Sequence, residues 1–194
     1  MSDDVDPYLI PGSKVLRNRL GISDARELDR IERRLVGDRM VERIPTGSFD
    51  LSHLRAIHRH LFQDIYDWAG ELRTVEISKG GHQFQFRRYI QTGMADVHRR
   101  LVQSKFLKGL RGDGFAREAG AIIGDVNYIH PFREGNGRTQ AQYLKQLAVQ
   151  AGHDLDLRQI DRRLWIEASM ASHGADYSLM AKVIRQAIVG PHKP

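Results

Sequence analysis

The chain has 194 residues, enough for one domain with a complete core and too few to make two ordinary ones. Its 41% hydrophobic and 28% charged residues exclude the apolar-poor composition that keeps a chain disordered, and the lack of cysteine excludes a disulfide framework or a thiolate metal site. The net charge of +6 admits nucleic acid, acidic protein surfaces or nucleotides without choosing among them, because the arginines are scattered through amphipathic segments such as IERRL and VHRRL.

The opening, MSDDVDPYLIPGSK, is acidic and broken by prolines, unlike a secretory leader, and no apolar run reaches the roughly 18 residues of a membrane span. A cytoplasmic protein with no membrane partner is expected. Residues 1–13 read as an irregular lead-in. SDARELDRIERRLVGD then predicts a first helix, with Ser23 as N-cap and Leu28, Ile31 and Leu35 at helical spacing. FDLSHLRAIHRHLFQDIYDWAG predicts a longer second helix that ends at Gly70. The period changes in LRTVEISKGGHQFQF: Val75 and Ile77 alternate with Glu76 and Ser78, the chain turns at Gly80 and Gly81, and alternation resumes at Phe84 and Phe86. This is the one good hairpin signal. YIQTGMADVHRRLVQSKFL, FAREAGAIIGDVNYIH, RTQAQYLKQLAVQAG, LRQIDRRLWIEASMAS and DYSLMAKVIRQAIVG are all helical in period, and VGPHKP reads as a frayed tail. The expected fold is one mainly α domain over residues 1–194, with its core at about 7–190 and a single small β-hairpin.

The densest chemistry lies in HPFREGNGRT, residues 130–139, between two predicted helices. Pro131 disfavours helical geometry at His130, so the first helix closes there, and Gly135 and Gly137 permit a tight loop. From Arg138 onward Tyr143, Leu144, Leu147, Ala148 and Ala151 share one face, so the loop feeds a helix N-terminus whose unpaired N–H groups and dipole attract anions. Arg138 in that first turn is unfavourable by some tenths of a kcal/mol unless a negative ligand offsets it. Gly135 and Gly137 let phosphate oxygens approach the backbone, Asn136 adds a neutral donor, and Glu134 suits a Mg²⁺ ion that bridges phosphates. His130, neutral, is placed to take a proton from an attacking hydroxyl, while Phe132 anchors the loop.

Taken singly, each residue has an ordinary structural reading: a core histidine, a Glu134–Arg138 ion pair at i,i+4, and an Asn-Gly turn. Five compatible residues in nine positions, with no strand following, favour a phosphate site. It is not a P-loop, because no Lys-Ser or Lys-Thr follows a glycine loop, and Gln140 stands where a dinucleotide fingerprint needs its third glycine.

HPFREGNGR resembles the signature of the Fic family, His-x-Phe-x-Asp/Glu-Gly-Asn-Gly-Arg-x-x-Arg. DPYLIPGSKVLRNRLGI is similar to the family's lead-in, and IYDWAGELRTVEISKGGHQFQF to the helix end and hairpin flap that precede its active site. The resemblance implies a Fic-type helical bundle and an enzyme that moves AMP from ATP, with Mg²⁺, onto a hydroxyl side chain of a target protein. By that resemblance His130 is the general base, Glu134 the Mg²⁺ ligand, and Gly135, Asn136 and Gly137 the anion hole. Arg138 meets the distal phosphates, and Arg133 joins the nucleotide-binding set. The flap is expected to hold a target segment by strand addition, with Ile77, Lys79 and Phe84 as the clamp.

The chain departs from the pattern at residue 141, where the second arginine is replaced by Ala141. Losing a charge-assisted bond of about 1.5 to 3 kcal/mol weakens the hold on ATP without removing base or metal ligand. The family's inhibitory pattern, Ser/Thr-x-x-x-Glu-Gly/Asn, finds only Ser23 to Glu27 followed by Leu28. A toxin-like member silenced by a separate small antitoxin is therefore expected, or an effector module exported into another cell. Two other readings stay open: transfer of a different nucleotide or phosphate-containing group, and a non-catalytic basic interaction domain. Nucleic acid is not the expected partner, and His58 with His60 make a poor metal pair because residues two apart on a helix diverge.

Overall fold

A computed structural model describes residues 6–191. Its first two helices begin where short acidic side chains offer caps. α1 (Ala25–Val41) is capped by Asp24, whose carboxylate accepts the Glu27 N–H at 2.8 Å. The expected Ser23 cap is displaced by one residue, since a carboxylate both accepts the bond and complements the helix dipole. Asp50 caps α2 (Leu51–Phe62) through the His53 N–H. α2 is shorter than its apolar pattern predicts. Beyond Phe62 the chain turns, and at Gly70 it folds back on the helix, where the Gly70 N–H donates to His58 Nδ1 at 2.8 Å.

The hairpin forms as β1 (Ser78–Lys79) against β2 (His82–Gln83), only two residues a side. Phe84 beyond it turns inward and is buried. Five further helices and another strand pair follow: α3 (Ile90–Gln103), α4 (Gly112–Ile129), α5 (Asn136–Ala151), β3 (His153–Leu155), α6 (Arg162–Ala171), α7 (Ser178–Ala187) and β4 (Ile188–Pro191). The pairing of β3 with β4 is a second small β element that periodicity did not predict. It also corrects the frayed tail, because Val189–Pro191 belong to β4 and Gly190 and Pro191 are paired with Asp154 and His153, while residues 192–194 lie outside the described range. Three- and four-residue strands carry too few alternations to stand out from the helices on either side.

α4 is the central helix and packs against α3, α5 and α7. Its stripe of Phe115, Ala119, Ile123 and Val126 has no exposed surface. At about 1.5 to 3 kcal/mol for each large apolar side chain, that burial fixes the axis of α4 within the bundle. α5 packs against both α4 and α2. The loop from His130 to Gly135 therefore emerges where α5 meets α4 and α2, and the flap lies over its start.

Candidate active site

α4 ends because Pro131 follows His130, and His130 takes a left-handed conformation (φ 46°, ψ 64°) while its N–H still donates to the Val126 carbonyl. Histidine is one of the few non-glycine residues that enter this region readily. The imidazole Nδ1 lies 3.0 Å from the Asn127 carbonyl oxygen. A carbonyl can only accept, so Nδ1 carries the proton in the neutral ring and Nε2 keeps its lone pair. The Phe84 ring stacks on the imidazole at 3.7 Å between centroids, covering one face and leaving the in-plane Nε2 edge uncovered by that ring. Burial pushes the imidazole pKa down to about 3, and the cations Arg73 and Lys79 add to the effect against the opposing Asn127 hydrogen bond. His130 is neutral at physiological pH.

Arg73 joins the flap to this histidine. Its guanidinium, with no exposed surface, donates to the carbonyls of His130 (2.8 Å), Val75 (2.8 Å) and Gln85, and its Nη1 lies 3.2 Å from the Glu76 carboxylate. Its own N–H donates to the Pro131 carbonyl at 2.9 Å. One buried cation thus satisfies acceptors on both flap arms and at the start of the motif loop. Arg73→Met leaves several of these acceptors without a donor, at about 1 to 3 kcal/mol for each one that stays buried. A total loss of about 3 kcal/mol is expected, measured by urea denaturation, together with faster hydrogen exchange across residues 75–86.

The rest of the loop is held from inside. Asn136 accepts from the Phe132 N–H at 3.0 Å and donates to the Phe132 carbonyl at 2.8 Å, so its side chain staples the loop instead of facing a ligand. Phe132 is fully buried and stacks on the His58 imidazole at 3.9 Å. His58 receives the Gly70 N–H at Nδ1 and donates from Nε2 to the Glu134 carbonyl at 3.0 Å, which fixes its tautomer. Burial lowers its pKa to about 4.

A histidine whose folded pKa is depressed binds its proton in the unfolded chain first. Its contribution is therefore fully present above about pH 6.5 and is lost as pH falls toward 4, at about 1.4 kcal/mol per pH unit. Carboxylates held low by arginines, such as Asp64 and Asp96, lose theirs only near and below the ordinary carboxylate range. Urea denaturation at pH 7 and pH 5 should show a loss of about 2 kcal/mol from His58 and a similar amount from His130, and His58→Phe should remove the first part. Equal stability at the two pH values would mean that His58 is not buried neutral.

Gly135, with φ 81°, is the N-cap of α5, and its N–H donates to the Glu134 carboxylate at 2.9 Å. Thr139 N–H already returns to the Gly135 carbonyl, so the amides of Asn136, Gly137 and Arg138 are the orphan donors of the first turn. Gly137 and Arg138 border a cavity of about 780 Å³ whose wall also includes Glu134, Gly135 and Ala141. The Arg138 guanidinium lies 4.7 Å over the Phe62 ring, pairs with Glu32 of α1, and stands 3.7 Å from Glu134. Glu32, buried, also accepts from the Tyr66 hydroxyl. Burial and the Glu32 charge raise the pKa of that hydroxyl, so it remains a donor.

The expected site residues thus divide. His130, Glu134, Gly135, Asn136, Gly137 and Arg138 converge on one loop and one helix start. Neither His130 nor Arg133 is among the residues that line the cavity: His130 stacks under Phe84 of the flap, and Arg133 reaches back to Asp6, with nitrogens 2.8 and 2.7 Å from the carboxylate. Gly137 has an ordinary helical backbone, so only Gly135 uses the conformational freedom expected of both. In the flap, Ile77 offers its carbonyl to the Phe84 N–H, Phe84 faces His130, and Lys79 borders the nucleotide-sized cavity. Arg73, His58, Glu32 and Tyr66 were missed. Each acts through a fold-level contact that carries no local pattern.

Residues 48–148 match the model of the Fic/DOC family. The chain belongs to the Fic/DOC family. It is 38% identical over 184 residues to the probable protein adenylyltransferase y4lH of Sinorhizobium fredii, covering 94% of this chain and 96% of that one. It is also 38% identical over 184 residues to the protein adenylyltransferase VbhT of Bartonella schoenbuchensis, of whose length it spans 38%. Among solved structures it superposes on the BepC effector protein of Bartonella tribocorum with bound AMPPNP, with a TM-score of 0.86 and 26% identity over 96% of this chain and 97% of that one. As a Fic/DOC protein it carries the family's His-to-Arg loop intact from His130 to Arg138, with Ala141 as its departure. Among the described residues no helix is long and apolar enough to cross a membrane.

Proposed function

We propose that this Fic/DOC protein transfers AMP from ATP to a tyrosine, threonine or serine hydroxyl of a target protein. The observation that carries the reading is the His130 tautomer: Asn127 holds the Nδ1 proton and leaves the Nε2 lone pair beside a loop that ends in three orphan amides. The target hydroxyl oxygen bonds to the α-phosphorus, its proton passes to Nε2, and pyrophosphate leaves with the electron pair of the broken P–O bond. The amides of Asn136, Gly137 and Arg138 face the negative charge that grows on the phosphoryl oxygens. The relatives named protein adenylyltransferases, at 38% identity, support the same reaction.

Glu134 is exposed and makes one backbone hydrogen bond, and no cluster of three metal-ligating side chains occurs among the described residues. That donor set suits Mg²⁺, which keeps most of its waters and takes one carboxylate plus phosphate oxygens. When bound there, Mg²⁺ supplies charge neutralisation to the phosphates. The two-residue strand β1 pairs only with β2, so its other edge is open to an extended target segment.

Incubation of the full chain with ATP, Mg²⁺ and bacterial lysate should yield a protein carrying one AMP mass on a hydroxyl residue. A Mg²⁺-dependent thermal shift by ATP should accompany it and vanish in Glu134→Ala. An adduct of any other mass would replace this reading with transfer of a different group, the change Ala141 makes conceivable.

A further inference from the structure

The charge around Arg138 is already matched. Its guanidinium stands between Glu32, buried and fixed by Tyr66, and Glu134. One turn on, Ala141 presents only a methyl group to the cavity. A nucleotide triphosphate brings about four negative charges, so the motif loop lacks the cations to meet the far end of the phosphate chain. The cavity supplies them from elsewhere: five cations and three carboxylates border it. Arg33 is paired with Asp29 on the same helix, and Lys79 lies close enough to His130 to depress its protonation.

Besides Lys79 on the flap beside His130, two cations border the cavity, Lys14 from the lead-in and Arg162 from the start of α6, and neither has an ion-pair or hydrogen-bond partner among the described residues. Arg162 is the first residue of its helix, directly after the Asp161 cap, and its side chain is exposed. Both line the cavity, Lys14 from the segment before α1 and Arg162 from the start of α6.

We infer that Lys14 and Arg162 bind the terminal phosphate of the nucleotide, replacing from outside the motif the cation that Ala141 lacks. This rests on the AMP-transfer reading and adds a specificity to it: these two side chains make the protein prefer a triphosphate over a diphosphate. Ligand preference is the readout, because removing two exposed cations for general electrostatic reasons weakens ATP and ADP together.

The test is calorimetric titration of the full chain with ATP and with ADP, in Mg²⁺ at one fixed salt concentration. The wild type should bind ATP more tightly. Lys14→Ala with Arg162→Ala should lose about 10- to 100-fold in ATP affinity, keep its ADP affinity, and keep its melting temperature, since both side chains are exposed. Adding Ala141→Arg to the double variant should restore the ATP preference, which no structural role of Lys14 or Arg162 would produce. An unchanged ATP preference in the double variant, or an equal loss for both nucleotides, overturns this inference and leaves the AMP-transfer reading standing. A wild type that binds neither nucleotide overturns both.

Discussion

His130→Asn is expected to lower kcat for transfer by about 10²- to 10⁴-fold with the fold intact. Asparagine is chosen because residue 130 has φ 46°, a conformation that asparagine accepts and alanine resists. Its amide can still donate to the Asn127 carbonyl, as the imidazole does. What it cannot do is accept and hold a proton. The pH dependence of the wild type follows from the same site. With burial pushing the imidazole down to about 3, the group stays unprotonated across pH 5 to 8, so it puts no acid limb into kcat/KM over that range. The base is available at every physiological pH, at the cost of lower basicity than a free imidazole. A wild-type limb near pH 6.5 that disappears in His130→Asn would show instead that water reaches the ring freely.

The two loop glycines should separate folding from chemistry. Gly135→Ala is expected to cost about 3 kcal/mol, because φ 81° is strained for alanine and the added Cβ would stand 2.4 Å from Phe62 Cζ, inside the packed core. Gly137→Ala meets nothing within 4 Å and keeps a helical backbone, so stability should hold or rise by about 0.5 kcal/mol. Yet that methyl projects where a phosphate oxygen would approach the first-turn amides. Transfer should fall by about 10²-fold, comparable to losing one oxyanion donor. Urea denaturation and single-turnover rates measure the two effects independently. Full activity in Gly137→Ala would place the phosphates away from this helix start and sink the proposed pose.

The helices were legible wherever an apolar stripe persisted over several turns, as in α4 from Ala119 to Ile129 and α5 from Tyr143 to Ala151. Where the stripe continued but hydrogen bonding stopped, it misled: Ile65 and Tyr66 are buried in turns beyond the end of α2. The strands β3 and β4 were hidden because each is too short to show a period, and their partner lies more than thirty residues away. Asn136 was read correctly as part of the loop, but its side chain serves Phe132, since a buried loop must satisfy its own backbone before it can offer donors to a ligand.

The amino-acid order by itself determined which chemical groups share the loop, because His130 to Arg138 are neighbours along the chain and a helix stop, a turn and a helix start follow from Pro131 and Gly135. It also determined that residue 141 brings no charge. Only the tertiary structure decided which of these groups are free to act. Glu32 arrives from 106 residues away to hold Arg138, Arg73 from 57 away to bind the His130 carbonyl, and His58 from 76 away to support Glu134. Such partners are set by how α1, α2 and the flap pack around α4, and a contact between distant segments depends on three-dimensional shape that no local period encodes.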